Sequence, residues 1–399
     1  MHMAQPLLQY SLPPEKLAQA YALYLLDGAL YFVTTIWGLL VLWLMLRSRF
    51  GQRLGSLAQR ASRHRLVQAL IVISLFVLTF ELTQLPFALY QHHIGLTYGL
   101  SVQHWASWFG DWAKGLLLSC IFASALGQLL YRMLRLSPRR WWLYFWLALI
   151  PIVVFVVFIT PIWIEPMFNT FEPLTDHHRD LVAQIERVVH RAGMDIPPQR
   201  MFEMKASEKH TTPNAYVTGF GATKRIVVWD TTARDLTLPQ TLFIFGHEMG
   251  HYVLHHIYLG LAYSALLIFA GLWLTQRLAE AVLARCGQRL QIRALGDLSS
   301  LPVLVLLASL LAFVGDPLAN TFSRWEEHQA DVYGLAITRA STPGGAPSAP
   351  PSSSQAAAQA FQLLGEKSYA YPNPSPFLVF WSYSHPPIAD RIRFALSHP

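Results

Sequence analysis

The stretch TLPQTLFIFGHEMGHY, residues 237–252, decides how this chain is read. Thr237 followed three positions later by Gln240 has the form of a capping box, and Pro239 sits in the first turn, where its missing N–H costs nothing. A helix is predicted to start here. Four residues of helix turn about 400°, so His247 and His251 project from nearly the same face and their imidazoles can share one cation. Zinc suits that donor pair, because it accepts neutral imidazole nitrogen in a tetrahedral site with one open corner. Glu248 then lies beside the water to be activated rather than on the metal, which is the position of a general base.

The surroundings sharpen this. Leu242, Phe243, Ile244 and Phe245 precede the motif and a long apolar run follows it. Two histidines and a glutamate are costly to bury among such neighbours unless they are paired or bound to metal, so a polar surface face does not explain them.

Working outward, 53% hydrophobic content against 13% charged residues places the 399-residue chain among membrane proteins. Six apolar runs have about the twenty residues that a bilayer core requires: 29–46, 66–90, 115–134, 141–164, 257–275 and 301–318. Residues 14–27 either extend the first span or lie on the surface, and no cleavable leader is expected ahead of them. The net charge of +7 resides mostly in arginines of short connecting segments, a membrane-sorting pattern rather than a nucleic-acid surface, so no nucleic-acid partner is expected. Cys120 and Cys286 are too far apart in character to suggest a disulfide framework. Trp141, Trp142 and Trp163 bracket the fourth span as interfacial anchors, and Glu81, beside Gln84 and Pro86 in the second, is expected to line a cavity. Residues 91–111 are expected to form a long interfacial loop.

The fold class is therefore mainly α: a polytopic membrane protein of about six spans with a small α+β metalloprotease domain. Residues 1–164 carry four spans, 165–256 the zinc domain, 257–320 two more spans, and 321–399 the rest of the catalytic domain. In the zinc domain Asp176 is expected to cap a helix closed by Gly193, and 201–205 to form a strand. Residues 215–220 and 225–229 read as a β-hairpin. Asn214, Ala215, Tyr216, Val217 and Thr218 are the candidate edge on which an extended peptide substrate pairs, a purely structural hairpin being the alternative. The metal helix is expected to continue unbroken into the fifth span. Spacing leaves Glu326, Glu327 and His328 open as third ligand. Glu327 shares a face with Asp331, which can hold a ligand histidine by its other nitrogen. Residues 340–360, rich in Ser, Pro, Gly and Ala, are expected to be a disordered loop.

Separated motifs then line up in one order. They are Leu85-Pro86 with Tyr90, Ile164-Glu165-Pro166 with Phe171 and Pro173, Asn214-Ala215-Tyr216 with Gly219, Lys224-Arg225-Ile226-Val227 with Asp230-Thr231, the His247 motif, Ser323-Arg324 with Glu327-x-Gln329-Ala330-Asp331, and Ser384-His385-Pro386 with Arg391. Together they resemble the integral-membrane zinc CAAX prenyl proteases. That resemblance implies one Zn2+ on His247, His251 and Glu327, Glu248 as acid/base, and a peptide-pairing backbone at Asn214 to Tyr216. It also implies that His385 and Arg391 lie near the scissile carbonyl, and that a ring of spans encloses a chamber capped by the zinc domain. Two features depart from the eukaryotic pattern: six spans rather than seven, and the segment after Tyr90.

The expected partners are the lipid bilayer and a peptide or protein substrate, lipidated or membrane-inserted. Two further readings are a quality-control zinc protease without a prenyl requirement and, more distantly, a zinc transporter or sensor. Arginines cluster after spans one, three and five, which by the positive-inside rule makes those loops cytoplasmic and puts the zinc domain on the extracytoplasmic side of a bacterial inner membrane.

Overall fold

The structure, a computed structural model, describes residues 9–219, 223–339 and 352–398. Helix α1 (Pro14–Arg47) absorbs residues 14–27 into the first span, and α2 (Phe50–Ala61) is an amphipathic helix within what reads in sequence as a basic loop. Helices α3 (Arg65–Thr97) and α4 (Trp105–Leu136) leave little of the expected loop at 91–111. His92, Trp105 and Trp108 stack together where the ends of these two helices meet, with ring centroids 4.5–6.0 Å apart. Helix α5 (Trp141–Ile159) passes through a π-turn into α6 (Glu165–Phe168), so the boundary expected at residue 164 falls inside one continuous helical segment.

The catalytic domain follows. Strand β1 (Phe171–Pro173) precedes α7 (Arg179–Arg191), and β2 (Met201–Met204), β3 (Ala215–Thr218) and β4 (Arg225–Trp229) complete a sheet of order β1-β2-β4-β3. His178, not Asp176, sits at the N-cap of α7; Asp176 ends the preceding 3-10 turn. Helix α8 (Asp230–Asp235) leads to α9 (Leu238–Val253), which begins with the expected capping box, Thr237 N–H donating to Gln240 Oε1 at 3.0 Å.

Helix α9 does not run on into the fifth span. It closes at Leu254, His255 takes a left-handed conformation (φ +60°), and α10 (His256–Leu290) starts on a new course. Neither Gly nor Pro marks the break. Helix α11 (Leu301–Arg339) returns to the catalytic domain, and α12 (Ser353–Lys367), α13 (Pro376–Ser382) and α14 (Ile388–Ser397) finish it. The expected disorder over 340–360 is corrected in part: 340–351 lies outside the described residues, but Ser352 caps α12 and Ala356, Ala357, Ala358 and Ala360 are buried against α9 and α14. Small side chains that look like low complexity in sequence are here close-packing residues.

Among the described residues, six helical segments are long and apolar enough to span a membrane. Their contacts run α1 to α3, α3 to α4, α4 to α5, α5 to α10, α10 to α11 and α11 back to α1, which closes a ring. In the most apolar window of α10 no residue is buried against protein, as befits a wall that faces lipid or an internal space. At one end all six walls and α2 converge on a core containing Leu42, Leu54, Phe76, Tyr131, Trp141 and Leu304. Just inside it lies a cavity of about 320 Å³ lined by Phe76, Phe80, Glu81, Gly127 and Phe145, so Glu81 does face a cavity. At the other end the catalytic domain fills the opening.

Helices α9 and α11 meet there almost backbone to backbone. A Cβ on Gly334 would come within 2.9 Å of His247 N, and one on Gly250 within 3.1 Å of Ala330 Cα. Gly334→Ala is therefore expected to destabilise the protein by roughly 1–3 kcal/mol through overpacking. A lowered unfolding temperature of the detergent-solubilised protein checks this; an unchanged one would mean that the two helices tolerate a wider separation.

Candidate active site

The close approach of α9 and α11 brings together residues eighty positions apart in sequence. His247 and His251 leave α9 one turn apart, as their spacing requires, and Glu327 arrives from α11. Their facing atoms are 3.2 Å apart (His247 Nε2 to His251 Nε2), 3.3 Å (His247 Nε2 to Glu327 Oε2) and 3.4 Å (His251 Nε2 to Glu327 Oε1). A tetrahedral ion with ligands at about 2.0–2.1 Å has edges of about 3.3 Å, and each imidazole stands at that spacing from the other and from one carboxylate oxygen of Glu327, Oε2 facing His247 and Oε1 facing His251. Glu327 Oε2 is buried without a hydrogen-bond partner, as a ligand oxygen reserved for a cation would be. Neither Glu326 nor His328 belongs to this group among the described residues.

Asp331, one turn beyond Glu327, accepts from His247 Nδ1 at 2.8 Å, which leaves Nε2 free to face the other donors. Arg391 of α14 grips Asp331 from behind with Nε at 2.9 Å and Nη2 at 2.7 Å. This fork is buried. Arg391 therefore backs the His-His-Glu cluster through Asp331, with Nη2 also 3.6 Å from Glu327 Oε2. Burial alone would push the Arg391 guanidinium and the His247 imidazole down. The Asp331 carboxylate outweighs burial for Arg391, and Asp331 with Glu327 does so for His247, lifting it to about 9. The His247, His251 and Glu327 side chains are placed so that they could hold a metal ion.

Glu248, next to the first ligand histidine, makes no hydrogen bond among the described residues, and burial raises its carboxyl above the usual range against the pull of His247 and His251. A free, partly desolvated carboxylate beside the triad is equipped to take a proton. His385 stands at the open side with Nε2 3.3 Å from Glu327 Oε1 and more than half of its side chain exposed. Burial lowers its imidazole. Its loop is pinned by Arg324 of α11, whose Nη1 donates to Val379 and Tyr383 carbonyls at 2.8 and 2.6 Å. The sequence reading quoted Arg324 in a motif but assigned it no task.

Strand β3 is an edge strand. Trp229 N–H donates to Asn214 O, so with the β3–β4 register residues 214, 216 and 218 turn their backbone toward β4, and Ala215 and Val217 turn theirs outward. Asn214 Oδ1 already accepts from Ala215 N–H at 2.8 Å, which leaves Val217 as the fully open rung. Tyr216 reaches back to the membrane segment: its hydroxyl donates to Glu165 Oε2 at 2.9 Å, and Arg225 Nη2 meets the same oxygen at 2.7 Å. The strand is thereby tied to the end of the fourth span. His256, which sequence reading did not single out, touches His251.

A closed ring of membrane helices carrying a His-Glu-x-x-His helix and a distant glutamate defines a membrane metallopeptidase. Residues 176–398 match Peptidase family M48, and residues 5–170 match the CAAX prenyl protease N-terminal region with five membrane helices. The chain belongs to Peptidase family M48 and is a membrane zinc metallopeptidase. The uncharacterized metalloprotease YhfN of Bacillus subtilis is 32% identical, over 96% of this chain and 86% of that protein. CAAX prenyl protease 1 of Saccharomyces cerevisiae is 26% identical, over 82% of this chain and 71% of that protein. The crystal structure of S. mikatae Ste24p has the same fold, with a TM-score of 0.78 at 22% identity, covering 96% of this chain and 89% of that one.

Removing the guanidinium would strip the buried Asp331 carboxylate of its cationic partner and leave it only His247, and breaking a buried ion pair typically costs about 3–5 kcal/mol. Arg391→Ala is expected to lower the unfolding temperature sharply and to weaken zinc retention, whereas His385→Ala should leave both near wild type. Thermal unfolding with parallel zinc analysis checks the contrast.

Proposed function

We propose that this chain is an endopeptidase holding one zinc ion on His247, His251 and Glu327, with Glu248 as general base and His385 as a donor to the developing oxyanion. The carrying observation is that two imidazole nitrogens and the two Glu327 carboxylate oxygens face one another in pairs 3.2–3.4 Å apart, beside a Glu248 that makes no hydrogen bond among the described residues. Zinc supplies Lewis acidity there, activating water and polarising the scissile carbonyl. Glu248 takes the proton of the attacking water and returns it to the leaving amine. Asp331, gripped by Arg391, keeps the His247 proton on Nδ1. His385 Nε2, on the exposed side of the cluster, donates to the oxygen that gains charge. A peptide adds to the open edge of β3 over Asn214 to Thr218, with Val217 offering both backbone groups and the tie from Tyr216 to Glu165 holding that edge at the membrane surface.

Two substrate readings remain in view. The similarity to the yeast CAAX prenyl protease 1 favours prenylated CAAX peptides. The charge distribution favours a protease that clears membrane proteins with no lipid requirement, in a bacterial inner membrane. Arg49 and Gln52 reach the carbonyls of Arg289 and Leu290, and Arg135 packs on Gly296, so the arginine-rich loops gather at the end of the ring opposite the catalytic domain. By the positive-inside rule that end is cytoplasmic and the catalytic domain lies outside. Phosphatase and fluorescent-protein fusions after Ile164 test it: active phosphatase is expected, and a fluorescent, phosphatase-negative fusion would reverse the orientation.

Glu248→Gln should keep zinc while losing turnover by a factor of about 10² or more, and His247→Ala should lose both. Because burial raises the Glu248 carboxyl, its base form is lost at a higher pH than that of a free glutamate. The acid limb of kcat/KM should therefore lie above about 4.3. Matched farnesylated and unmodified peptides, read by mass spectrometry, separate the two substrate classes. Equal cleavage by wild type and Glu248→Gln would remove the mechanism.

A further inference from the structure

His251 faces two ways. Its Nε2 points at the other two donors, 3.2 Å from His247 and 3.4 Å from Glu327. To ligate from Nε2 it must carry its proton on Nδ1, and a ligand histidine of that kind donates its other N–H to an acceptor. The atom that meets it is Nδ1 of His256, 3.0 Å away on a residue only 5% exposed.

Helical spacing does not create this contact. Five residues along a continuous helix turn about 500°, which would leave the two side chains some 140° apart. The break at Leu254 and His255 creates it. With His255 at φ +60°, α10 restarts on a new axis and its first residue folds back toward the end of α9. A left-handed conformation at a non-glycine residue costs roughly 1–2 kcal/mol, so this is a strained junction held by what it positions. Trp325 of α11, with its ring 6.1 Å from that of His256, packs behind the pair.

We propose that His256 is a positioning residue: as a neutral imidazole it accepts the His251 Nδ1–H, fixes the tautomer and ring plane of that ligand, and so sets how firmly the site holds zinc. The proposal rests on the metallopeptidase reading with His251 as a ligand. It makes the support of the two histidines unequal. His247 is backed by a carboxylate that is itself held by Arg391, which raises its basicity, whereas His251 is backed by a neutral ring that orients it without adding charge.

The test uses full-length protein in detergent and measures the zinc dissociation constant by chelator competition, with the visible spectrum of the cobalt-substituted protein and the unfolding temperature alongside. His256→Phe keeps an aromatic ring against Trp325 but has no acceptor. Zinc affinity is expected to fall about 10–100-fold, with altered cobalt bands. His256→Asn, whose carbonyl oxygen can accept, is expected to recover most of that loss although it packs less well. Wild-type affinity and spectrum in His256→Phe, or an Asn variant as impaired as the Phe variant at equal unfolding temperature, would overturn the positioning role alone. Should His256→Phe fail to fold, the comparison of His256→Asn with His256→Ala decides on the same readout: equal affinities overturn the role. A wild-type protein that binds no zinc would overturn the metal assignment and the proposal with it.

Discussion

The contact between α9 and α11 is the constraint on which the rest of the site depends. Gly250 and Gly334 allow two helix backbones to approach where any side chain would hold them apart. That approach alone puts a carboxylate of α11 against two imidazoles of α9. Behind it stands a buried ion pair, Arg391 with Asp331, whose desolvation is expensive and whose value lies in orientation more than in stability. Asp331 spends one oxygen on His247 and both on Arg391, so the His247 ring is fixed through its Nδ1.

The ring of spans and the catalytic domain divide the work between them. At the arginine-rich end the helices converge on a continuous apolar core with α2 inserted among them, which closes the ring. At the other end they separate, and α9, α11 and the C-terminal helices occupy the gap. Two of the elements that form the site are continuous with, or directly joined to, membrane walls: α11 carries Glu327, and α10 opens with His256. The sheet is fastened to the fourth span through Glu165. The open edge of β3 is thereby fixed relative to the end of the fourth span.

Much of this architecture is local and was readable along the chain. Apolar runs of about twenty residues announce spans wherever they occur, because the bilayer sets their length. The capping box, the one-turn spacing of His247 and His251 and the alternation of the hairpin each depend on neighbours within a few residues. So does the placement of Glu248. Spacing narrowed the third candidate ligand to adjacent residues, and resemblance favoured Glu327, which is the one that α11 sets beside the two imidazoles of α9.

What the chain could not disclose by itself depends on distant packing. The turn at Leu254 and His255 carries no glycine or proline, so local propensity favours an uninterrupted helix; tertiary contacts impose the break, and with it the meeting of His251 and His256. The alanine-rich start of α12 resembles filler until α9 and α14 are seen to close on it. Arg391 could be tied to the site by its motif, but only the fold decides that it approaches from behind Asp331, because the direction of a side chain toward residues sixty positions away is a property of packing and not of sequence.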